Sequence, residues 1–163
     1  MDPTLSHTFH FELTGTRAVT VQRQFAAPPE QVFDAYTQCQ HLQQWLRGPE
    51  GWSMPECYTD PRPGGTYRHL MRHTSGQTMG WGGRYLEVER PRRLVAREQF
   101  DEPWYPGEAE LTLTLAYANG RTTLTLVIAL ESAEGRDIYM QVPWHEGVRT
   151  SYDRLEEYLS QSA

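Results

Sequence analysis

At 163 residues, 38% of them hydrophobic, the chain is about one domain long and can bury a core without disulfide or metal staples. Its 15 basic residues are all Arg, and the absence of Lys excludes Schiff-base catalysis, a pyridoxal-phosphate lysine and the lysine of a phosphate-binding Walker loop. A net charge of −6 supplies no general field for phosphate, so nucleic acid is not an expected partner.

Residues 1–16 read as an N-terminal extension and residues 17–163 as a single domain. The opening Met1-Asp2-Pro3-Thr4-Leu5-Ser6-His7 has no positive region followed by an apolar one, and no run of about 18 apolar residues occurs later. Neither a secretory leader nor a membrane partner is expected, and the protein is read as cytoplasmic. Residues 7–12 form at most a loose extension of the first strand. In that strand, 17–25, Val19, Val21 and Phe25 share one face and Thr20, Gln22 and Gln24 the other. At Ala27-Pro28-Pro29-Glu30 the period changes: proline suits a first helical turn, Glu30 suits the positive end of the helix dipole, and Val32, Phe33 and Tyr36 follow at helical spacing. Leu42, Trp45 and Leu46 make a second short helix that Gly48-Pro49-Glu50-Gly51 stops.

Six strands follow, at roughly 53–60, 65–73, 77–89, 92–101, 108–118 and 121–131. Asn119-Gly120 between two alternating segments predicts a tight hairpin, and Pro61-Arg62-Pro63-Gly64-Gly65 marks another reversal. Trp144, Val148, Tyr152, Leu155 and Leu159 then recur at helical spacing, with Pro143 in the first turn and Arg149, Asp153, Arg154, Glu156 and Glu157 placed toward water. The expectation is an α+β fold: a curved, seven-stranded antiparallel sheet, two short helices, and one long C-terminal helix laid over its concave face with a cavity between. Cys39 and Cys57 stand 18 positions apart outside any Cys-x-x-Cys pair and are read as free thiols, Cys57 as a buried structural one.

The run Phe25-Ala26-Ala27-Pro28-Pro29-Glu30-Gln31-Val32-Phe33-Asp34-Ala35-Tyr36-Thr37, then His41-Leu42 and Trp45, then Asp60-x-Arg62-Pro63-Gly64-Gly65-Thr66-Tyr67-Arg68, resembles the family homologous to the C-terminal domain of the Hsp90 ATPase activator Aha1. Tyr85-Leu86-Glu87-Val88, Pro91-Arg92-Arg93-Leu94-Val95, Gly120 to Leu126, Glu146-Gly147-Val148 and Ser151-Tyr152-Asp153-Arg154-Leu155 continue the resemblance, which spans about residues 17–160. It implies the helix-grip fold of the Bet v 1/START-like (SRPBCC) superfamily, whose members bind hydrophobic small molecules; it carries no shared catalytic residue set. Two positions depart from the usual pattern: Trp45 is followed by Leu46-Arg47 where a second Trp is common, and His69 stands where an aromatic or aliphatic residue is usual.

Alternation puts Tyr67, His69, Met71 and His73 on one strand face, and the resemblance implies that this face lines the cavity. In a strand the two imidazoles are separated by roughly 13 Å, beyond the reach of one ion, so no metal is assigned to them. A neutral imidazole there orients a ligand hydroxyl or carbonyl. Glu98 shares a face with Leu94, Ala96 and Phe100 and, if inward, must be protonated or paired. The competing reading is a strand phase slipped by one residue, which leaves His69 and Glu98 on the surface. Trp45, Trp52, Trp81, Trp104 and Trp144 are mostly core, with Trp81 and Trp144 as candidates for the cavity wall, joined from the long helix by Val148 and Tyr152. No Gly-x-Ser-x-Gly elbow and no activated Cys is apparent, so no catalytic residue and no cofactor is assigned. Three functions remain: binding of a small hydrophobic ligand; cyclisation, dehydration or hydrolysis assisted by His69 or Glu98; and a co-chaperone interaction, which rests on the family name alone. A homodimer is compatible with each.

Overall fold

A computed structural model describes residues 8–161, and residues 1–7 of the expected extension, with 162 and 163 of the expected domain, lie outside them. In chain order the elements are β1 (His10–Thr14), β2 (Ala18–Phe25), α1 (Pro29–Thr37), α2 (Cys39–Trp45), β3 (Trp52–Thr59), β4 (Thr66–His73), β5 (Thr78–Glu89), β6 (Arg93–Phe100), β7 (Ala109–Ala118), β8 (Arg121–Ala129), α3 (Ala133–Tyr139) and α4 (Trp144–Gln161). The strands make one antiparallel sheet in the order β1-β2-β8-β7-β6-β5-β4-β3. The architecture is the expected α+β helix grip, with eight strands rather than seven. The additional strand comes from the segment read as a loose extension: it pairs His10 with Gln22 through to Thr14 with Ala18.

Alternation dictates the sheet's faces. In β2, Val19, Val21, Arg23 and Phe25 are buried and the residues between them are half-buried. The β7–β8 hairpin turns where its sequence requires, Asn119 and Gly120 both taking positive φ (55° and 77°), as a two-residue turn matching the strand twist demands. Irregular registers between Tyr85 and Glu87 of β5 and between Ser53 and Glu56 of β3 interrupt the ladders, the kind of feature that bends a sheet.

α1 begins on Pro29, with Glu30 in its first turn, and buries Val32, Phe33 and Ala35. Gln38, in extended conformation, separates it from α2, and the Trp45 indole donates back across the break to the Ala35 carbonyl (2.9 Å). This pair of helices carries the chain from β2 to β3, at the far edge of the sheet. A third short helix, α3, was not apparent from periodicity because its apolar content is little more than Ile138 and Tyr139; the Ser132 hydroxyl caps it by accepting from the Gly135 N–H (2.9 Å).

Two sequence-based expectations are corrected. Cys39 and Cys57 are joined as a disulfide, not free: α2 runs beside β3, where the Gln43 amide donates to the Met54 carbonyl, and the two Cα atoms are 5.7 Å apart. Glu156 does not face water. It is buried and accepts from the guanidinium of Arg23, a fully buried side chain on the inner face of β2 that also donates to Asp153 (2.6 Å). That cluster fixes α4 against the sheet together with Tyr152, whose ring meets Phe25 edge-on and whose hydroxyl is 2.6 Å from that of Tyr36.

Candidate functional site

Between the sheet and α4 lies a cavity of about 740 Å³. Its floor is built from rows of residues paired across neighbouring strands. One row runs His69, Trp81, Phe100; the next Tyr67, Gly83, Glu98, Ala109; a third Tyr85, Ala96, Leu111, Ile128; a fourth Leu94, Leu113, Leu126. Because side chains alternate between faces, every second residue over part of β4, β5, β6, β7 and β8 reaches the same space. α4 supplies the roof with Trp144, Val148, Ser151 and Tyr152. One end is closed by packed aromatics: Phe100 against Trp104, Trp104 stacked on Tyr139 of α3 (5.3 Å, 22°), and Tyr139 against Trp144. The lining residues that also reach solvent, Pro49, Met79, Val142, Pro143 and Glu146, mark the mouth.

Of the residues expected there, Tyr67, His69, Met71, Trp81, Glu98 and Phe100 line the cavity from the sheet, and Trp144, Val148 and Tyr152 from the helix. His73 does not. It sits where β4 passes into its turn, packed on Trp52 (5.2 Å between rings) and bonded through Nδ1 to Ser75, so the face it continues has already run past the end of the cavity.

The polar groups of this mostly apolar space are few and specifically held. The Tyr67 hydroxyl donates to Glu98 Oε2 at 2.8 Å. That bond spans two strands and depends on Gly83, which lies between the two residues in register: a Cβ at Gly83 would stand 2.7 Å from the Tyr67 hydroxyl oxygen. The sequence signal was present in Gly80-Trp81-Gly82-Gly83, since glycines inside a strand often mark a close approach. Burial pushes the Glu98 carboxyl up to about 7, with the Tyr67 bond opposing the rise. Burial, reinforced by the Arg68 charge, lowers His69 to about 4, so its ring is neutral at physiological pH. His69 Nδ1 is 3.5 Å from the Cys57 sulfur. A disulfide sulfur has no proton to give, so the ring donates from Nδ1 and keeps Nε2 as an acceptor. Burial, and after it the charge of Glu98, holds the phenols of Tyr85, Tyr105 and Tyr139 protonated. Tyr36, Tyr85, Tyr105 and Tyr139 were missed as lining residues because they come from four separate elements or connections, and no local spacing unites them.

Chemically, the arrangement can enclose an apolar molecule and address it with one carboxyl group in its floor, a second at its mouth, one imidazole acceptor and several phenols. Comparison with known proteins agrees with this architecture. A family model described as activator of Hsp90 ATPase homolog 1-like protein matches residues 26–160. A crystal structure of a protein from Rhodobacter sphaeroides is 30% identical, with a TM-score of 0.89, over 94% of this chain and 99% of that one. A protein from Chromobacterium violaceum is 29% identical (TM-score 0.72, covering 87% and 96%). A protein from Nitrosomonas europaea, 24% identical, shares the fold (TM-score 0.79, covering 93% and 99%). No curated protein matches the chain.

Proposed function

The chain belongs to the activator of Hsp90 ATPase homolog 1-like family, within a superfamily whose fold is typically a ligand-binding one, and we propose that it binds a small, largely hydrophobic molecule between sheet and α4. The observation that carries this reading is the cavity itself: about 740 Å³, within the range of small-molecule sites, apolar in most of its lining, with a few convergent polar groups. Tyr67, His69 and Glu98 are the polar contacts in this proposal; Met71, Trp81, Phe100, Trp144, Val148 and Tyr152 supply apolar surface. Titrating an apolar ligand while following tryptophan fluorescence tests it, because Trp81, Trp104 and Trp144 all border the space. Saturable quenching that weakens in His69→Phe is expected, and a linear, unsaturable response in both proteins contradicts it.

A second reading draws on Glu98 alone. A carboxyl poised near 7 in the floor of a largely apolar cavity has the properties of a general acid or base, which favours cyclisation, dehydration or hydrolysis over chaperone binding as the alternative. Turnover abolished by Glu98→Gln with ligand affinity retained distinguishes catalysis from binding. Among the described residues no helix is long and apolar enough to cross a membrane. A cytoplasmic setting belongs to the proposal as well; the Cys39–Cys57 bond, of a kind rare under reducing conditions, tells against it, and a thiol count on freshly extracted protein decides the matter.

A further inference from the structure

The cavity's charges are one-sided. The protein carries 15 Arg, yet among the described residues none of them lines this space, whereas Glu98 lies in its floor and Glu146 at its mouth. Glu98 makes no ion pair among the described residues; what holds it is the Tyr67 hydroxyl. Elsewhere several carboxylates meet guanidinium groups: Arg23 with Glu156, Arg68 with Asp101, Arg84 with Glu108, Arg90 with Asp34. A buried carboxylate without an ion-pair partner is costly, so Glu98 either keeps its proton or gains from a positive charge brought in from outside.

The surroundings specify what that something is. Trp81 and Phe100 form the sheet row next to that of Glu98, and Trp104 and Tyr105 pack on Phe100, with ring centroids 4.8–6.4 Å apart; aromatic faces attract cations. The imidazole of His69 adds an acceptor at Nε2 and no positive charge. We propose that the natural ligand is a hydrophobic organic cation, an arylalkyl- or alkylammonium, whose nitrogen pairs with Glu98 and whose apolar body lies along α4. This rests on the ligand-binding reading above and narrows it.

Binding couples to the protonation of Glu98. The titratable groups that feel it are Tyr67 from β4, Tyr85 from β5, Tyr105 from the segment before β7, Tyr139 from α3 and Tyr36 from α1, and His69 of β4 lines the same cavity. The tyrosines stay neutral through the range in which Glu98 ionises, and His69 is already neutral there, so Glu98 alone gains charge between pH 5.5 and 8.

The test compares three probes of nearly equal shape by calorimetric titration at pH 8 and pH 5.5: 4-phenylbutylamine, 4-phenylbutanol and 4-phenylbutyrate. The amine is cationic at both values. At pH 8 it is expected to bind at least ten-fold more tightly than the alcohol, with the carboxylate weakest; at pH 5.5, and in Glu98→Gln at either pH, the advantage over the alcohol falls to three-fold or less. Equal or tighter binding of the alcohol or the carboxylate at pH 8 overturns the cation while leaving the apolar-ligand reading standing. An amine preference that survives Glu98→Gln unchanged overturns the role of Glu98. If none of the three binds, this inference and the reading beneath it both fail.

Discussion

Glu98 and His69 face the same cavity and are displaced in opposite senses, so they make opposite contributions to the pH dependence of stability. The Glu98 carboxyl moves from an ordinary 4.5 to about 7. Between those values the folded chain holds a proton that the unfolded chain has released, so its contribution falls as pH rises, by about 1.4 kcal/mol per unit and no more than about 3.5 kcal/mol in all. His69 moves from 6.5 to about 4. Between those values the unfolded chain holds the proton, so this contribution rises with pH at about the same slope. From pH 4.5 to 6.5 the two nearly cancel in the native protein. Glu98→Gln, whose amide oxygen still accepts from Tyr67, removes one half of the cancellation; His69→Gln removes the other. Urea unfolding followed by tryptophan fluorescence at pH 4.5, 5.5, 6.5 and 7.5 measures both. Relative to the parent chain, Glu98→Gln should gain stability as pH rises, approaching about 3 kcal/mol above pH 7, and His69→Gln should lose its relative advantage over the lower part of the range. A Glu98→Gln difference that stays constant across these pH values refutes the argument, because it means that the carboxyl ionises as it would in water.

Two further substitutions test how the site is held. Arg23→Met should cost about 3–5 kcal/mol in chemical denaturation, because it leaves Glu156 buried without its guanidinium, and the double variant Arg23→Met/Glu156→Leu should recover most of the loss; a single-variant loss below about 1 kcal/mol contradicts the role given to this pair. Gly83→Ala, a change that elsewhere in a strand is neutral or favourable, should here lose about 1–3 kcal/mol, since the added methyl meets the Tyr67 hydroxyl and the Arg97 carbonyl; unchanged stability shows that Tyr67 does not need that space to reach Glu98.

Much of this architecture is legible in the sequence because period-two alternation leaves little freedom. Leu111, Leu113 and Leu115 before Asn119-Gly120, with Leu124, Leu126 and Ile128 after it, set both the hairpin and the face it buries. The same alternation puts Tyr67, His69 and Met71, and Leu94, Ala96, Glu98 and Phe100, toward the cavity. It misplaces His73 because alternation says which face a residue is on, not where along the strand the cavity ends. Relations between distant segments were not legible. The Cys39–Cys57 bond depends on α2 lying beside β3 after the chain has crossed to the far edge of the sheet. Glu156 reads as a solvated helix position until Arg23, 133 residues earlier, is found on the opposing strand face. The β1 strand lacks any long apolar run of its own and is defined by its ladder with β2 and by Phe11 packing on Trp144 and His145.

The central claim, that the space between sheet and α4 holds a small molecule, is tested most directly by non-denaturing mass spectrometry of the protein as isolated, beside an Ala96→Trp variant whose new side chain would fill the cavity floor. The account predicts an adduct of defined mass on the parent protein, released by organic solvent and absent from the variant. The same adduct on both proteins, or none on either, contradicts it.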